Sequence, residues 1–466
     1  MATPIRRHAR ALFGASILAL SLASPSLAET IFTPTSDGFV GEVSAEAPNR
    51  APIYAGTTVT IAGEDLTPGQ QITLMRGTTV LNADGPLTVA QDGTFSFDVP
   101  VDRDAATGLQ PIVVIGENPA AATVVDLKVS PQVPISGQDR FAILSQPLTR
   151  GLYQVAYSPK SDALFVTSAV GRPPVRQSAL VKVDPETLET VAQVTPEPAP
   201  AREDGSEGGV FAVYGVAVDD ANGTVWVTNT RQDTVAVYRQ DDLSLVRQFE
   251  PGAASHPRDV VIDEDRGRAY VSTSMGPEIL VFDTRTLERL DPIMVPSNVR
   301  GEEFGTMALD LDAKTGTLVT ASLNTPEAAV IDLNSGAVKV FQIKGAQGTA
   351  GAAYDAQDGL LFVTAQKTDN LLILKADTGE VLHDVAVGAG PLNVTFDPVS
   401  RHAFVANRGS GTITVVDTQG KIVANLDAGS FPNQLRADGK GNVYAVNKSR
   451  GENDDAGDRV WRIRAN

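Results

Sequence analysis

Phe362-Val363-Thr364-Ala365 is an aromatic residue followed by a short alternation of apolar and small residues, and six variants of it recur along the chain. They are Phe165-Val166-Thr167-Ser168, Trp226-Val227-Thr228-Asn229, Tyr270-Val271-Ser272-Thr273, Leu318-Val319-Thr320-Ala321, Phe404-Val405-Ala406-Asn407 and Tyr444-Ala445-Val446-Asn447. Successive starts lie 61, 44, 48, 44, 42 and 40 residues apart. Alternation is typical of β-strands, and this period is typical of propeller blades with four strands each. The repeats therefore predict an all-β chain that contains a seven-bladed β-propeller.

The residues around each repeat agree with this prediction. An alternating strand precedes each repeat, as in Gly215-Val216-Ala217-Val218-Asp219, and a strand with a turn follows each of the first six, as in Val281-Phe282-Asp283-Thr284. Over residues 138–466 these features resemble the YVTN-type β-propeller repeat family. The resemblance implies a fold and leaves the function open, because related propellers bind proteins, nucleotides or cell-surface partners and others carry catalytic sites. Similar repeats also occur in quinoprotein dehydrogenase subunits.

The two ends of the repeat region are expected to meet. The last repeat stops after its third strand, Arg459-Val460-Trp461-Arg462-Ile463-Arg464. The segment Arg140-Phe141-Ala142-Ile143-Leu144 precedes the first repeat and has no other predicted partner. An unpaired edge strand promotes aggregation, so we predict that this segment completes the seventh blade. The alternative is that residues 138–146 are only a linker.

A second, smaller unit precedes the repeats. Six short alternating strands with Pro-Gly, Asp-Gly and Gly turns between them predict an antiparallel β-sandwich over residues 30–136. Its spacing resembles the immunoglobulin-like modules that precede catalytic or binding domains in exported bacterial proteins, although the Cys pair and the core Trp of antibody domains are not present. The proline-rich stretch from Ser130 to Gly137 predicts a stiff linker.

The first residues predict export. Arg6, Arg7 and Arg10 precede an apolar stretch, and Ser26-Leu27-Ala28 is typical of a signal-peptide cleavage site. We therefore expect a signal peptide over residues 1–28 and a periplasmic or secreted protein. The alternative is a short membrane anchor, but the apolar stretch is too short to span a bilayer, so we expect no membrane span.

Composition excludes several kinds of chemistry. The 466 residues include no Cys, so disulfides, thiolate nucleophiles, Cys-ligated metals and CxxCH haem attachment are excluded. The formal net charge of −18 makes nucleic acid an improbable partner, because phosphates are repelled. His256, His383 and His402 lie in different repeats without a metal-binding spacing. Neither a metal, a cofactor nor a catalytic residue is predicted, and the acidic stretch 452–458 is interpreted as a solvated loop rather than a calcium site.

The irregular connections are expected at one face of the propeller. Connections between the first and second strands of each repeat are short and regular, whereas the segments 171–178, 195–213, 297–305 and 448–458 are long or irregular. All four belong to connections on the opposite face, by the usual order of strands in a blade. Elaborated loops at one end of a rigid scaffold are typical of binding sites. Tolerated insertion in exposed loops is the alternative interpretation.

Several Arg and Lys residues are also expected at this face of the propeller. The predicted ligand-binding residues are Arg231, Lys367, Arg408 and Lys448 just after the repeat strands, Arg258 at the start of an inner strand, and the channel-proximal Tyr153, Tyr214, Asn393 and Asn433. Arg and Lys suit carboxylate and phosphate groups. The alternative is that these cations pair with Asp259, Asp369, Glu452 and Asp454 and only make the rim soluble.

The leading hypothesis is an exported, non-enzymatic binding protein, expected as a monomer, whose propeller face captures an anionic small molecule or an envelope protein. A lactonase-like propeller hydrolase or lyase, with its site at the channel mouth, is the first alternative. A structural or adhesion protein of the cell surface is the second.

Overall fold

The computed structural model describes residues 38–202 and 204–466, and within these residues the chain is all-β apart from three short 3-10 helices, Pro48–Arg50, Gln138–Arg140 and Thr230–Gln232. The signal peptide expected over residues 1–28 lies outside the described residues, as does the start of the predicted sandwich.

The N-terminal unit consists of two antiparallel sheets around one apolar core. Its strands are β1 (Glu42–Glu46), β2 (Thr58–Glu64), β3 (Gln71–Arg76), β4 (Thr79–Val80), β5 (Leu87–Thr88), β6 (Phe95–Pro100), β7 (Gly108–Glu117) and β8 (Ala121–Val129). One sheet has the order β1-β2-β6; the other has the order β4-β3-β7-β8, with β5 also paired to β3. Val59 and Ile61 from the first sheet and Ile72 and Leu74 from the second are fully buried in the shared core. Alternation of apolar and polar residues in these strands places one face of each sheet inward.

The rest of the described chain forms seven sheets of four antiparallel strands each. The strands are β9 (Phe141–Pro147), β10 (Leu152–Ser158), β11 (Ala163–Val170), β12 (Gln177–Val183), β13 (Thr190–Val194), β14 (Val216–Asp219), β15 (Thr224–Asn229), β16 (Thr234–Arg239), β17 (Leu245–Gln248), β18 (Pro257–Asp263), β19 (Arg268–Thr273), β20 (Glu278–Asp283), β21 (Arg289–Met294), β22 (Thr306–Asp312), β23 (Thr317–Ser322), β24 (Glu327–Asp332), β25 (Ala337–Gln342), β26 (Thr349–Asp355), β27 (Leu360–Ala365), β28 (Asn370–Lys375), β29 (Val381–Ala386), β30 (Pro391–Asp397), β31 (His402–Asn407), β32 (Thr412–Asp417), β33 (Ile422–Asp427), β34 (Pro432–Ala437), β35 (Asn442–Asn447) and β36 (Arg459–Ala465). Six sheets take consecutive strands from β10 to β33, and the remaining sheet has the order β34-β35-β36-β9.

The first strands of these sheets form a closed ring. Strands β10, β14, β18, β22, β26, β30 and β34 each contact the next one, and β34 contacts β10. Side-chain oxygens link neighbouring sheets: Gln154 Oε1 accepts from the Val216 backbone N–H at 3.1 Å, and Gln434 Oε1 accepts from the Val155 N–H at 3.0 Å. The arrangement is that of a β-propeller.

The apolar residues of the repeats pack between neighbouring sheets. Phe165, Trp226, Phe362 and Phe404, each the first residue of its repeat, are buried. The Phe362 ring stacks on Phe396 of the adjacent sheet, with centroids 5.0 Å apart. Burying an aromatic side chain of this size stabilises a fold by about 1.5–3 kcal/mol, so the recurring aromatic position is a main source of cohesion between sheets.

The predicted pairing of the two ends is confirmed. Strand β9 pairs antiparallel with β36 from Phe141 opposite Ala465 to Pro147 opposite Arg459. The Arg459 Nε donates to Ser145 Oγ at 2.9 Å. The Phe141 ring meets Phe404 edge-on, with centroids 6.0 Å apart. Residues 141–147 therefore form the outer strand of the last sheet and are not a linker.

The N-terminal unit and the segment that follows it both contact the ring. The Lys128 Nζ of β8 forms an ion pair with Asp369 at 2.8 Å and donates to the backbone oxygen of Gln366, also at 2.8 Å. The connecting segment lies against β33, where Asn425 Nδ2 donates to the Val133 oxygen at 2.9 Å and Ser136 forms a β-bridge with Asn425.

Candidate functional site

A cavity of about 330 Å³ opens at the centre of the ring, on the face where the irregular connections lie. All seven four-stranded sheets or their flanking loops contribute to this mouth cavity, which is lined by Tyr153, Tyr214, Thr230, Arg231, His256, Arg258, Ser274, Met307, Leu323, Gln366, Leu392, Arg408, Asn433 and Lys448.

Bulges at the starts of inner strands direct one set of side chains to the cavity. The strand register shifts where β10, β18, β22, β30 and β34 pair with their neighbours. A bulge bends its strand and changes the direction of a side chain. The cavity-lining residues at these shifts are Tyr153, Arg258, Met307, Leu392 and Asn433.

A second set comes from the residues after the second strands. Leu323, Arg408 and Lys448 directly follow β23, β31 and β35. Arg231 lies in the 3-10 helix Thr230–Gln232 after β15. The cavity therefore takes residues from two circles, one at the inner strands and one just outside it.

Tyr153 holds two of the cations. The Arg258 guanidinium carbon lies 4.5 Å from the centroid of the Tyr153 ring, and the Lys448 Nζ lies 5.3 Å from it. The Tyr214 ring meets Tyr153 edge-on, with centroids 4.5 Å apart. A cation over an aromatic face gains electrostatic stabilisation without losing its charge.

Asn433 positions a third cation. Its Oδ1 accepts from Arg408 Nη1 at 2.7 Å, and its Nδ2 donates to the Tyr153 backbone oxygen at 2.6 Å. The Arg408 guanidinium also lies 4.7 Å from the centroid of Phe431. Arg408 is therefore held in place by an amide and an aromatic ring, and neither neutralises its charge.

In the described chain, Arg231, Arg258, Arg408 and Lys448 form no ion pair with a carboxylate, and no Asp or Glu lines the cavity. The carboxylates considered as partners have other contacts: Asp259 with Arg436 at 3.6 Å, Asp369 with Lys128 at 2.8 Å, Glu452 with Arg150 at 3.3 Å, and Asp454 with the backbone N–H of Arg450 at 2.7 Å. The four cations thus face the cavity without a carboxylate at ion-pair distance in the described chain.

Burial and mutual repulsion change the protonation of this cluster. Desolvation, together with the nearby Arg408, Arg258 and Arg231, lowers the pKa of Lys448 to about 8. Burial lowers the pKa of His256, although Asp233 opposes this shift, and Arg231 and Arg258 lower it further. Burial also raises the pKa of the Tyr214 hydroxyl, which stays protonated. Each shift disfavours the charged form, as expected in a partly buried cationic site.

Apolar side chains share the cavity with the cations. Met307, Leu323 and Leu392 line it together with the four charged residues. A site with charge and apolar surface in one small volume suits an organic anion better than a fully hydrated ion.

Seven of the nine residues predicted from the sequence line the mouth cavity, namely Tyr153, Tyr214, Arg231, Arg258, Arg408, Asn433 and Lys448. Lys367 is exposed and is not in the lining, whereas its neighbour Gln366 is. Asn393 lies in a small cavity below the mouth, and its Oδ1 accepts from the Leu435 backbone N–H at 3.0 Å, which joins two sheets.

The lining also contains seven residues that were not among the predicted ligand-binding residues, namely Thr230, His256, Ser274, Met307, Leu323, Gln366 and Leu392. The apolar three look like core residues in the sequence, and nothing in their pattern separates them from packed positions. Only their place after a second strand or at the start of an inner strand, shared with Arg408 and Arg258, would have pointed to the cavity.

At the opposite opening of the ring, the cation is paired with carboxylates, unlike the cations of the mouth cavity. Its cavity, of about 370 Å³, is lined by small apolar residues with Arg436, Asp310 and Asp438. The Arg436 guanidinium lies between Asp259 and Asp310, with nitrogen–oxygen distances of 3.6 and 3.8 Å. The cation at that end is paired, in contrast to those of the mouth cavity.

The fold and the site define a β-propeller with a cation-lined cavity at one end of its central channel. No group of three or more His, Asp or Glu side chains placed to hold a metal ion occurs in residues 38–202 and 204–466. Among the same residues, no helix has the length and apolar character needed to cross a membrane.

Comparison with known proteins supports the fold and leaves the function open. No family model matches the chain. The uncharacterized protein YncE of Salmonella typhimurium is 25% identical over 317 residues, which cover 64% of this chain and 83% of that protein. YncE of Escherichia coli K12 is 23% identical over 325 residues, with the same coverage of 64% and 83%.

Solved structures of similar fold include propeller-like chains. The Kuenenia stuttgartiensis hydrazine synthase matches with a TM-score of 0.54 at 18% identity, covering 68% of this chain and 96% of that one. Virginiamycin B lyase from Staphylococcus aureus matches with a TM-score of 0.53 at 13% identity, covering 70% and 100%. At these identities the similarity concerns the fold alone.

Proposed function

We propose that this protein is a binding protein whose mouth cavity captures a small organic anion. The observation that carries the proposal is the set of four cations, Arg231, Arg258, Arg408 and Lys448, that face one cavity without a carboxylate partner. Arg258, Arg408 and Lys448 are half-buried, whereas Arg231 is exposed. A charge that is partly removed from water is normally paired, because it loses part of its hydration without compensation. A carboxylate or phosphate group in the cavity would supply the missing countercharge.

The size and lining of the cavity narrow the class of ligand. A volume of about 330 Å³ is near the lower end of small-molecule sites. Arg258 and Arg408 suit the anionic group by their forked donors, while Met307, Leu323 and Leu392 suit an apolar part. We infer a compact molecule that carries both.

The scaffold in this proposal is a seven-bladed β-propeller of the YVTN type, preceded by an immunoglobulin-like sandwich. The seven four-stranded sheets and their closed ring support the first assignment, and the two antiparallel sheets of the N-terminal unit support the second. We further propose that residues 1–28 direct export to the periplasm or beyond and that the protein acts as a monomer there.

A hydrolase or lyase function is the second candidate, because Tyr214 and His256 both line the mouth cavity. The lowered pKa of His256 favours its neutral form, which can accept a proton. Turnover of lactones or esters by the purified protein, abolished by His256→Ala, would support this candidate. Binding of an anion without turnover would support the first.

Isothermal titration of phenyl phosphate tests the binding function. We expect Arg258→Met and Arg408→Met each to weaken binding at least about tenfold, since a charge-assisted hydrogen bond contributes about 1.5–3 kcal/mol. Arg239→Met is the matched control, because Arg239 is exposed at the end of β16 and lies outside the cavity. Equal affinity of the unmodified protein and the three variants for phenyl phosphate would contradict the proposal.

A further inference from the structure

We propose that Lys448 is a nucleophile in the mouth cavity and holds the carbonyl group of an anionic aldehyde or 2-oxo acid as a reversible imine. This inference rests on the proposed anion-binding function and specifies the ligand further. In this inference Lys448 bonds to the carbonyl carbon of the ligand, and the three guanidinium groups bind its anionic group.

The position of Lys448 fits a reactive amine. It directly follows β35, and its side chain lines the cavity. Its Nζ donates one hydrogen bond, to the Ala169 backbone oxygen at 3.1 Å, within the described chain. The nearby carboxylate of Asp458 forms no ion pair with this amine in the described chain, and its Oδ1 accepts from the backbone N–H groups of Gly151 at 2.8 Å and Ser449 at 3.1 Å.

The surroundings of Lys448 favour its neutral form. Arg408 lies after the second strand of the adjacent sheet, Arg258 shares the Tyr153 ring with Lys448, and Arg231 also lines the cavity. Asp458 acts in the opposite direction, with an effect smaller than those of desolvation and Arg408 but larger than that of either Arg258 or Arg231. With a pKa of about 8, roughly a tenth of the side chains are neutral at pH 7, far more than for an exposed lysine. Desolvation beside other cations is a known way of making a lysine nucleophilic.

The bond changes balance without an added oxidant or reductant. The neutral amine adds to the carbonyl carbon, and its proton passes to the carbonyl oxygen to give a carbinolamine. Loss of that hydroxyl with a second amine proton releases one water and forms the carbon–nitrogen double bond. Water reverses both steps. During this exchange Arg258 and Arg408 hold the anionic group and limit where the carbonyl can lie.

Borohydride trapping with pyridoxal 5′-phosphate, which carries an aldehyde and a phosphate, tests the inference on the full chain. Borohydride transfers hydride to the imine carbon and makes the adduct permanent, and peptide mapping then locates it. We expect one equivalent of adduct, at Lys448, and at least a tenfold loss of labelling when inorganic phosphate competes. Lys448→Arg should abolish this adduct while inorganic phosphate still binds. If the arginine variant does not fold, Lys448→Met replaces it in the same experiment.

The control is Lys344→Arg, because Lys344 is exposed in the connection before β26 and lies outside the cavity lining. Its labelling pattern should equal that of the unmodified chain. Labels spread over exposed lysines and unchanged by Lys448→Arg, with phosphate still bound, would overturn the imine and leave the anion site intact. Failure of both phosphate binding and labelling would overturn the proposed function together with the inference.

Discussion

Lys448 and the three arginines around it are a set of like charges held close together. Arg408 is fixed by Asn433 at 2.7 Å, and Arg258 is fixed by the Tyr153 ring at 4.5 Å. Like charges held in a desolvated site lower the stability of the fold. The cluster is thus not explained by a contribution to folding, and the proposed ligand binding would account for it.

The destabilising effect of the charge on Lys448 should be visible in the pH dependence of the free energy of unfolding. Its folded pKa of about 8 lies below the ordinary value of 10.5, so between these values the unfolded chain holds a proton that the folded chain has lost. Stability contributed at this site therefore rises as the pH rises through that window. We expect Lys448→Met to be more stable than the unmodified protein at pH 7, by on the order of 1 kcal/mol, and this advantage to shrink towards pH 10.

Urea denaturation at several pH values measures that difference. Lys344→Met removes the same charge from an exposed side chain and should show no comparable trend. A constant offset between Lys448→Met and the unmodified protein from pH 7 to 10 would show that the Lys448 amine is not desolvated.

At the residue scale, the sequence predicted most of the cations of the mouth cavity. It did not predict which of two neighbouring residues after a repeat strand lines the cavity. Arg231 and Lys367 occupy the same position relative to their repeat strands and both are exposed, yet Arg231 lies in a 3-10 helix and lines the cavity, whereas Lys367 does not line it and its neighbour Gln366 does. The direction of a side chain after a strand depends on the local turn, and one residue of difference reverses it. Composition and spacing do not specify that turn.

At the element scale, strand β9 should contribute strongly to stability, because it completes the last sheet. Phe141 is 7% exposed and packs in a core with Phe404 and Leu435. We expect Phe141→Ala to cost about 3 kcal/mol, the usual loss for a buried Phe truncated to Ala. Chemical denaturation followed by tryptophan fluorescence measures it.

Val246→Ala is the comparison for this truncation, since Val246 lies in the outer strand β17 and is 41% exposed. Its cost should stay within about 0.5 kcal/mol. Similar losses in the two variants would mean that pairing of β9 with β36 does not stabilise the ring.

The ion pair between Lys128 and Asp369 is the second element-scale feature, because it joins the sandwich to the ring. Asp369 has a side chain only 2% exposed, and its carboxylate also accepts from the Gly390 N–H at 2.7 Å. Lys128→Met should cost about 3 kcal/mol, since it leaves a buried carboxylate without its cation. The double variant Lys128→Met/Asp369→Asn should recover most of the loss in a denaturation experiment, and a loss equal to the single variant's would contradict this.

The elements themselves were largely predictable from alternation and turn residues. The β9–β36 pairing could be predicted because the last repeat lacks a strand and Phe141-Ala142-Ile143-Leu144 has strand character. Strand β1, Glu42–Glu46, was missed because it is short and rich in Glu, and only its pairing with β2 makes it a strand. Tertiary pairing outweighs intrinsic preference at such edges.

At the scale of the whole molecule, charge is distributed unevenly. The chain has a formal net charge of −18, yet one end of the central channel gathers four cations and the other holds Arg436 between two carboxylates. An acidic exterior repels anions at long range, so the proposed anion would have to be held in the mouth cavity by local contacts. The bulges that direct Tyr153 and Arg258 inward lie in two different sheets, and the other sheets add the rest of the lining, which is why no single repeat shows the site in the sequence.

A crystal structure of the full chain grown with selenate tests the central claim most directly, because selenium marks the anion by its anomalous signal. We predict the strongest anomalous peak in the mouth cavity, within hydrogen-bond distance of Arg258 and Arg408 and close to Lys448. A cavity that holds only water, with the selenate peaks on exposed lysines and arginines elsewhere, would contradict the account.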